Sequence, residues 1–245
     1  MQIGKAGPPV SRISRASPDR VEVRGRDLCG DLMGRVTFTE YFHLLLTGRE
    51  ATEDQRFFLD LLLVAIAEHG MMPTNVAARM TLAADPGSLH GAVAAGILGA
   101  GPVVLGTAEE CARLLGLEGE PEEIVARIRA EGGKVPGFGH PLHRPVDPRA
   151  ERILELADAR GVSGAYVRRA RTFGAALPEL PMNVSMPIAA VLLDLGFPPD
   201  AVKAVPILAR TAGLLAHLAE ERERPLGFLL AARAEEAVVY EQDEG

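Results

Sequence analysis

Two stretches of this 245-residue chain concentrate the side chains that do chemistry. The longer is Lys134-Val-Pro-Gly-Phe-Gly-His140-Pro-Leu-His143-Arg144-Pro-Val-Asp-Pro-Arg149, where glycines and prolines present two imidazoles and two guanidinium groups ahead of a helix start. Such a loop suits anions, because the helix dipole, free backbone N–H groups and side-chain cations all favour negative charge. The shorter is Glu68-His69-Gly70, a histidine at a helix end followed by Pro73, Thr74 and Asn75. His43 and His217 lie inside apolar helical patterns and read as structural. The spacing does not suggest a metal: there is no His-x3-His with a third ligand, and His140-x2-His143 has only Asp147 nearby. Gly99-Ala-Gly101 to Gly106 lacks the preceding strand that a dinucleotide loop needs. Neither a nucleophile elbow nor a P-loop occurs.

The elements that must position these groups read as helices. Thr52-Glu-Asp-Gln55 has capping-box spacing, and the apolar stretch after it runs to Glu68, where Gly70 stops it. Val76–Ala84, Leu89–Leu98, Thr107–Leu115 and Pro121–Ala130 follow. The Ala- and Gly-rich composition of Leu89–Leu98 predicts close backbone packing, and the last of the four opens with Pro at N1. Asp147 caps a helix to about Arg160 with Pro148 at its first position. Ser163–Ala176, Met186–Leu195 and Lys203–Arg222 complete the set. Strand alternation is confined to Arg20–Gly25, and residues 1–20 read as a mobile arm. The expected fold is all-α.

Bulk properties narrow the function. A net charge of -7 argues against nucleic acid as the main partner while allowing a local basic pocket. Hydrophobic residues make up 47% of the chain, which is enough to build a core rather than a disordered chain. Two cysteines, Cys29 and Cys111, lie far apart without metal spacing and suit a reducing cytosol. The arginine-bearing N-terminus has no apolar signal-peptide region. Leu59–Ala67, read as the longest apolar run, is about half a membrane span. These features predict a cytoplasmic protein away from membranes.

Gly137-Phe-Gly-His140 followed by Asp147-Pro-Arg149 resembles the signature of citrate synthases and citryl-CoA lyases, and the surrounding segments follow in that superfamily's order. Arg24–Leu28 and Leu44–Gly48 resemble its N-terminal hairpin and first helix. Glu68-His69 with Ala77-Ala78-Arg79 resembles its Asp-His-Glu region. Asn183-Val184, Ala209-Arg210-Thr211 and Gly213–His217 resemble its closing segment. The resemblance, covering about residues 20–225, is to the short citryl-CoA lyase-like branch. It implies an all-α homodimer with a large helical domain (1–92 and 191–245) and a small CoA-binding domain (93–190). It also implies carbon–carbon bond cleavage or formation between an acyl-CoA enolate and a 2-keto acid such as oxaloacetate. Coenzyme A would be a co-substrate, with no permanently bound cofactor.

By the same resemblance His140 contacts the oxygen that alternates between carbonyl and hydroxyl. His69 helps bind the keto acid, Arg149 and Arg210 clamp carboxylates, and Arg144 with Gly137 and Gly139 serves CoA. Two departures matter. Val104 falls where synthases carry an enol-stabilising histidine, which favours cleavage over condensation; His90 lies upstream of that position. Ser185 follows Asn183-Val184 where the family has its catalytic aspartate, and a hydroxyl is no carboxylate base at neutral pH. Arg224 and Arg233 stand as alternatives for an arginine contributed by a second subunit. Condensation, and a silent CoA or carboxylate binder, remain the rival functions.

Overall fold

The structure, a computed structural model, describes residues 9–241. The first eight residues of the expected arm lie outside this range. The remainder of the arm is not all unstructured, because β1 (Ser14–Ala16) pairs antiparallel with β2 (Val21–Val23), which pairs with β3 (Arg26–Asp27). Strand β1 is exposed and too short for alternation to register, so only its pairing reveals it. The β2–β3 connection is a two-residue turn with both Arg24 (φ 50°) and Gly25 (φ 80°) left-handed, the geometry that matches strand twist. The Arg24 guanidinium donates to the Leu45 carbonyl of α1 (Phe38–Thr47), tying hairpin to helix. Helix α1 opens with a capping box between Thr37 and Glu40 and closes on left-handed Gly48. Val23, Leu32 and Leu44 form the buried centre of this part.

The chain divides into two compact units between Asp60 and Leu61, inside α2 (Glu53–Ala67). The capping box expected for α2 is present: Thr52 N–H donates to Gln55 Oε1, and Gln55 N–H donates to Thr52 Oγ1. The second unit continues with α3 (Pro73–Ala84), α4 (Leu89–Leu98), α5 (Gly101–Val104), α6 (Thr107–Leu115) and α7 (Pro121–Ala130). After the long loop come α8 (Pro148–Ala159), α9 (Ala165–Ala175), α10 (Ser185–Asp194), α11 (Ala204–Glu223) and α12 (Gly227–Ala237). Helix α3 begins three residues before the expected Val76, because Pro73 occupies N1, where its fixed φ favours a helix start. The turn α5 and helix α12 were not anticipated. One is only four residues long, and the other has just Gly227 buried, so neither has a strong apolar stripe.

Two packing centres hold the second unit. Ala78, Leu82, Ala92, Leu214 and Leu218 join α3, α4 and α11. A Cβ on Gly96 would stand 2.7 Å from a Leu214 methyl and 3.0 Å from the Thr74 carbonyl, so α4 packs backbone-close, as its composition predicts. Helix α10 is the other centre, with Met186 to Leu193 all buried and neighbours in α6, α8 and α9. Its Asp194 carboxylate accepts N–H groups of Gly164, Tyr166 and Val167, capping α9 from outside.

Among the described residues one helical run, Pro199–Glu223, has the length and apolarity to cross a membrane. It is a longer apolar segment than Leu59–Ala67, the stretch singled out from sequence. In the fold it packs on α3 and α4 and buries Arg210 and Glu221, as a core helix does.

Candidate active site

The loop between α7 and α8 is held by a short antiparallel pairing that the sequence does not announce. Gly139 N–H donates to the Pro181 carbonyl at 2.7 Å, Asn183 N–H donates to the Gly137 carbonyl at 2.9 Å, and Phe138 bridges Met182. Gly137 is obligatory twice over: its φ is +83°, and a Cβ there would lie 2.7 Å from Cys111 Sγ and 2.9 Å from Met186. Asp147, buried, caps α8 through Arg149 N–H and accepts the Val184 N–H at 3.1 Å. The loop end and the start of α10 are thereby locked together. Burial pushes the Asp147 carboxyl up, but the Arg149 guanidinium and the backbone N–H groups outweigh it and hold the acid below its usual range.

The His69 turn is fastened from the other side. Glu68 Oε1 accepts the N–H groups of His69 (2.8 Å) and Gly70 (2.7 Å), while Oε2 lies 2.9 Å from His217 Nε2. His217 Nδ1 accepts from Arg79, and Arg79 also pairs with Glu220 and Glu221. A chain of charge and imidazole thus runs from α11 through α3 to the backbone of His69. The structural reading of His217 agrees with this network. His43 is buried too, with Nδ1 2.9 Å from the Arg49 carbonyl.

Between these two anchors lies a cavity of about 440 Å³. His69, Gly139, His140, Arg149, Ser185 and Arg210 line it, so six of the eight expected site residues meet there. Arg210 is 5% exposed, and its Nε and Nη1 have no hydrogen-bond partner among the described residues. Burial lowers its pKa; Glu68 opposes that shift and Arg149 adds to it. Arg149 spends Nε and Nη2 on Asp147, at 3.0 and 2.8 Å, which leaves Nη1 for a ligand. Ser185 is the first residue of α10, and its N–H is taken by Asn183 Oδ1, so the helix start brings a hydroxyl to the cavity rather than a free N–H. Val104 lines the cavity and adds only hydrocarbon.

The imidazoles converge. His69 Nε2 lies 3.1 Å from His143 Nε2, and the rings of His140 and His143 stack with centroids 4.3 Å apart. Burial lowers the His69 and His140 pKa values. For His69 the Arg149 charge is the next cause, and for His140 it is His143, so both rings favour the neutral form. His140 Nδ1 accepts the N–H groups of Leu142 (3.1 Å) and His143 (2.9 Å). That places the proton of neutral His140 on Nε2, leaving a donor and no free lone pair.

One nitrogen from each of these histidines lies within 4.8 Å of the others, a cluster that the sequence spacing gave no reason to expect. It does not suit a metal. His140 Nε2 carries a proton and Nδ1 is taken by backbone, so two donors remain beside Arg149.

Arg144 and Gly137 stand apart from the cavity. Arg144 lines a neighbouring open cavity of about 870 Å³ that shares Gly139 and His140 with the first. Gly137 is buried and lines neither. Three residues acquire roles that sequence reading did not assign: Glu68, Asn183 and His143. Asn183 holds the Gly139 carbonyl through Nδ2 at 3.0 Å and Ser185 N–H through Oδ1. An Asx residue two positions before a helix residue was the available signal. His143 had none, because its partner His69 is 74 residues away in sequence.

The chain has relatives among known proteins. Residues 31–227 match the family described as "Citrate synthase, C-terminal domain". The chain is 33% identical over 195 residues to "Putative citrate synthase 2" of Mycobacterium tuberculosis, covering 72% of this chain and 50% of that one. It therefore spans about half the length of the curated relatives it matches. Citryl-CoA lyase of Hydrogenobacter thermophilus superposes with a TM-score of 0.86 at 27% identity, covering 96% of this chain and 95% of that one. An ATP citrate lyase structure from Methanothrix soehngenii, in complex with citrate and coenzyme A, shares the fold at 22% identity and a TM-score of 0.77, covering 99% of this chain and 43% of that one. The motif loop, the helical order and these matches lead to one conclusion: the chain belongs to the citrate synthase family.

Proposed function

We propose that this protein cleaves citryl-CoA, or a related 3-hydroxy-3-carboxyacyl-CoA, into an acyl-CoA and a 2-keto acid. The observation that carries the reading is Arg210: a buried guanidinium with two nitrogens that have no hydrogen-bond partner among the described residues, lining the same cavity as the His140 imidazole. A buried unpaired cation is costly unless an anion joins it, so the site is built for a carboxylate. The His140 Nε2–H then stabilises the charge on the tertiary oxygen as the carbon–carbon bond breaks. Arg149 contributes Nη1 to the same carboxylate-bearing substrate, and Arg144 in the adjoining cavity meets the CoA phosphates. The match along nearly the whole of a protein named citryl-CoA lyase favours cleavage, as does hydrocarbon at Val104.

The proposed large part (1–92 with 191–245) and small CoA-binding part (93–190) fit the lining, which takes His69 and Arg210 from one and His140, Arg149 and Ser185 from the other. A cytoplasmic homodimer completes the reading, with Arg224 or Arg233 reaching the partner's site. The test supplies purified protein with citryl-CoA and follows oxaloacetate through NADH oxidation by malate dehydrogenase. Product formation only from acetyl-CoA plus oxaloacetate would replace cleavage by condensation. Calorimetric binding of CoA and oxaloacetate without turnover in either direction would make the protein a silent binder, the reading that Ser185 favours.

A further inference from the structure

Cleavage needs a group to take the proton from the tertiary hydroxyl, and the residue nearest in role cannot do it. His140 Nδ1 is engaged by two backbone N–H groups, so the neutral ring offers the substrate a proton and has no lone pair to accept one. Ser185 is a hydroxyl. The imidazole with a free nitrogen is His69. It lines the cavity, its Nε2 faces His143 Nε2 at 3.1 Å, and its Nδ1 has no hydrogen-bond partner among the described residues. Two ring nitrogens at that distance share one proton, so protonation of one ring at its far nitrogen can expel the shared proton toward the other.

We propose that His143 is the proton-relay partner of His69, a positioning and proton-transfer role reached only through the His69 ring. This deepens the proposed cleavage and rests on it. The substrate hydroxyl proton goes to His69 Nδ1 while the shared proton passes from His69 Nε2 to His143 Nε2, and His143 releases a proton to water. The C2–C3 electron pair moves onto the thioester to form its enolate, which takes one proton from water at C2. No net proton is gained or lost. His143 lies outside the lining of both cavities and is partly exposed, as a relay to solvent requires. The charged and titratable groups around the pair are Arg149, His140 and Asp147, with Glu68 bonded to the His69 backbone.

The test compares His143→Gln and His143→Ala with wild type on citryl-CoA. Glutamine keeps a hydrogen bond to His69 but cannot pass a proton, whereas a merely structural contact would be largely restored by it. The relay predicts a fall in kcat of about 100-fold in both variants, with KM unchanged and partial rescue of His143→Ala by free imidazole. Wild-type kcat in His143→Gln, or a loss carried by KM and insensitive to imidazole, overturns it. Ring-nitrogen NMR of 15N-histidine-labelled wild type reads the same feature without turnover. The expected spectrum has His140 as a fixed Nε2–H tautomer and His69 and His143 sharing a proton in averaged signals. Fixed, separate tautomers on His69 and His143 overturn the relay even if the variants fail to fold. Shared-proton signals in a wild type that cleaves no thioester would instead overturn the cleavage reading and leave the pair as a proton conduit for another reaction.

Discussion

Arg79 and Arg210 are both buried cations on core helices, and they have opposite surroundings. Arg79 is fully buried and meets two carboxylates and an imidazole: Glu220, Glu221 and His217. Arg210 is almost as buried, yet its Nε and Nη1 have no partner among the described residues, and it lines the cavity. The first is neutralised within the protein and joins α3 to α11. The second keeps its charge in reserve for something that arrives from solution. Burial of a charge does not by itself report function; donors left without partners do.

The sharpest way to break this contrast is Arg79→Met. Removing one partner of a buried pair costs about 3–5 kcal/mol, because Glu221 is left charged without its cation. Urea unfolding should show that loss as a lower midpoint at unchanged slope. A stable Arg79→Met protein would mean that the network is not what joins the two helices.

Arg210→Met should do the reverse, leaving the urea midpoint unchanged or raised while oxaloacetate affinity falls by about 2–5 kcal/mol. Calorimetry supplies the affinity. Equal binding by the variant would reduce Arg210 to a packing residue. Arg149→Ala also weakens diacid binding, but it frees Asp147 from its guanidinium, so part of its effect appears as lost stability.

Ser185→Asp sharpens the comparison at the cavity itself, by adding a negative charge to the lining that Arg210 shares. General bases contribute about 10²–10⁴-fold, and a serine scaffold captures only part of that. An increase of at least about tenfold in cleavage, or in exchange of acetyl-CoA methyl protons into deuterated water, is expected; tenfold is about 1.4 kcal/mol of barrier. Slower turnover in Ser185→Asp than in an already active wild type would mean that another group, or water, moves the proton at the acyl methyl.

The smallest effect is on stability against pH. His43, His69 and His140 all have pKa values lowered in the fold, chiefly by burial. The unfolded rings bind protons near their usual pKa of about 6.5, so below it the unfolded state holds more protons than the folded one. Stability should therefore fall as pH drops from neutrality through about 6. Asp147 and Glu68, with lowered carboxyl pKa values, add a further loss below about pH 4. A midpoint that rises on mild acidification would contradict the buried neutral histidines.

The helices were readable wherever an apolar stripe met a cap: Thr52 with Gln55 for α2, Asp147 with Pro148 for α8. Strand β1 and helix α12 were not readable, because three exposed residues and a helix with one buried position leave no periodic trace. At the site, the residue types and the Gly/Pro loop were legible through spacing and resemblance. The partners were not. Nothing local distinguishes Arg79 from Arg210, since both sit in apolar helices at helical spacing.

The chain by itself determined which groups are available: two imidazoles and two guanidiniums in one rigid loop, a third imidazole after Glu68, and a hydroxyl rather than a carboxylate at position 185. Only the tertiary structure decided their states. Backbone N–H groups of Leu142 and His143 set the tautomer of His140. The packing of α11 on α3 neutralised one arginine and left two nitrogens of the other without a hydrogen-bond partner among the described residues. Protonation and charge pairing depend on distances of about 3 Å between groups, and His69 and His143 reach that distance across 74 residues of chain. Sequence order carries the identity of such groups, and folding alone brings their electric fields together.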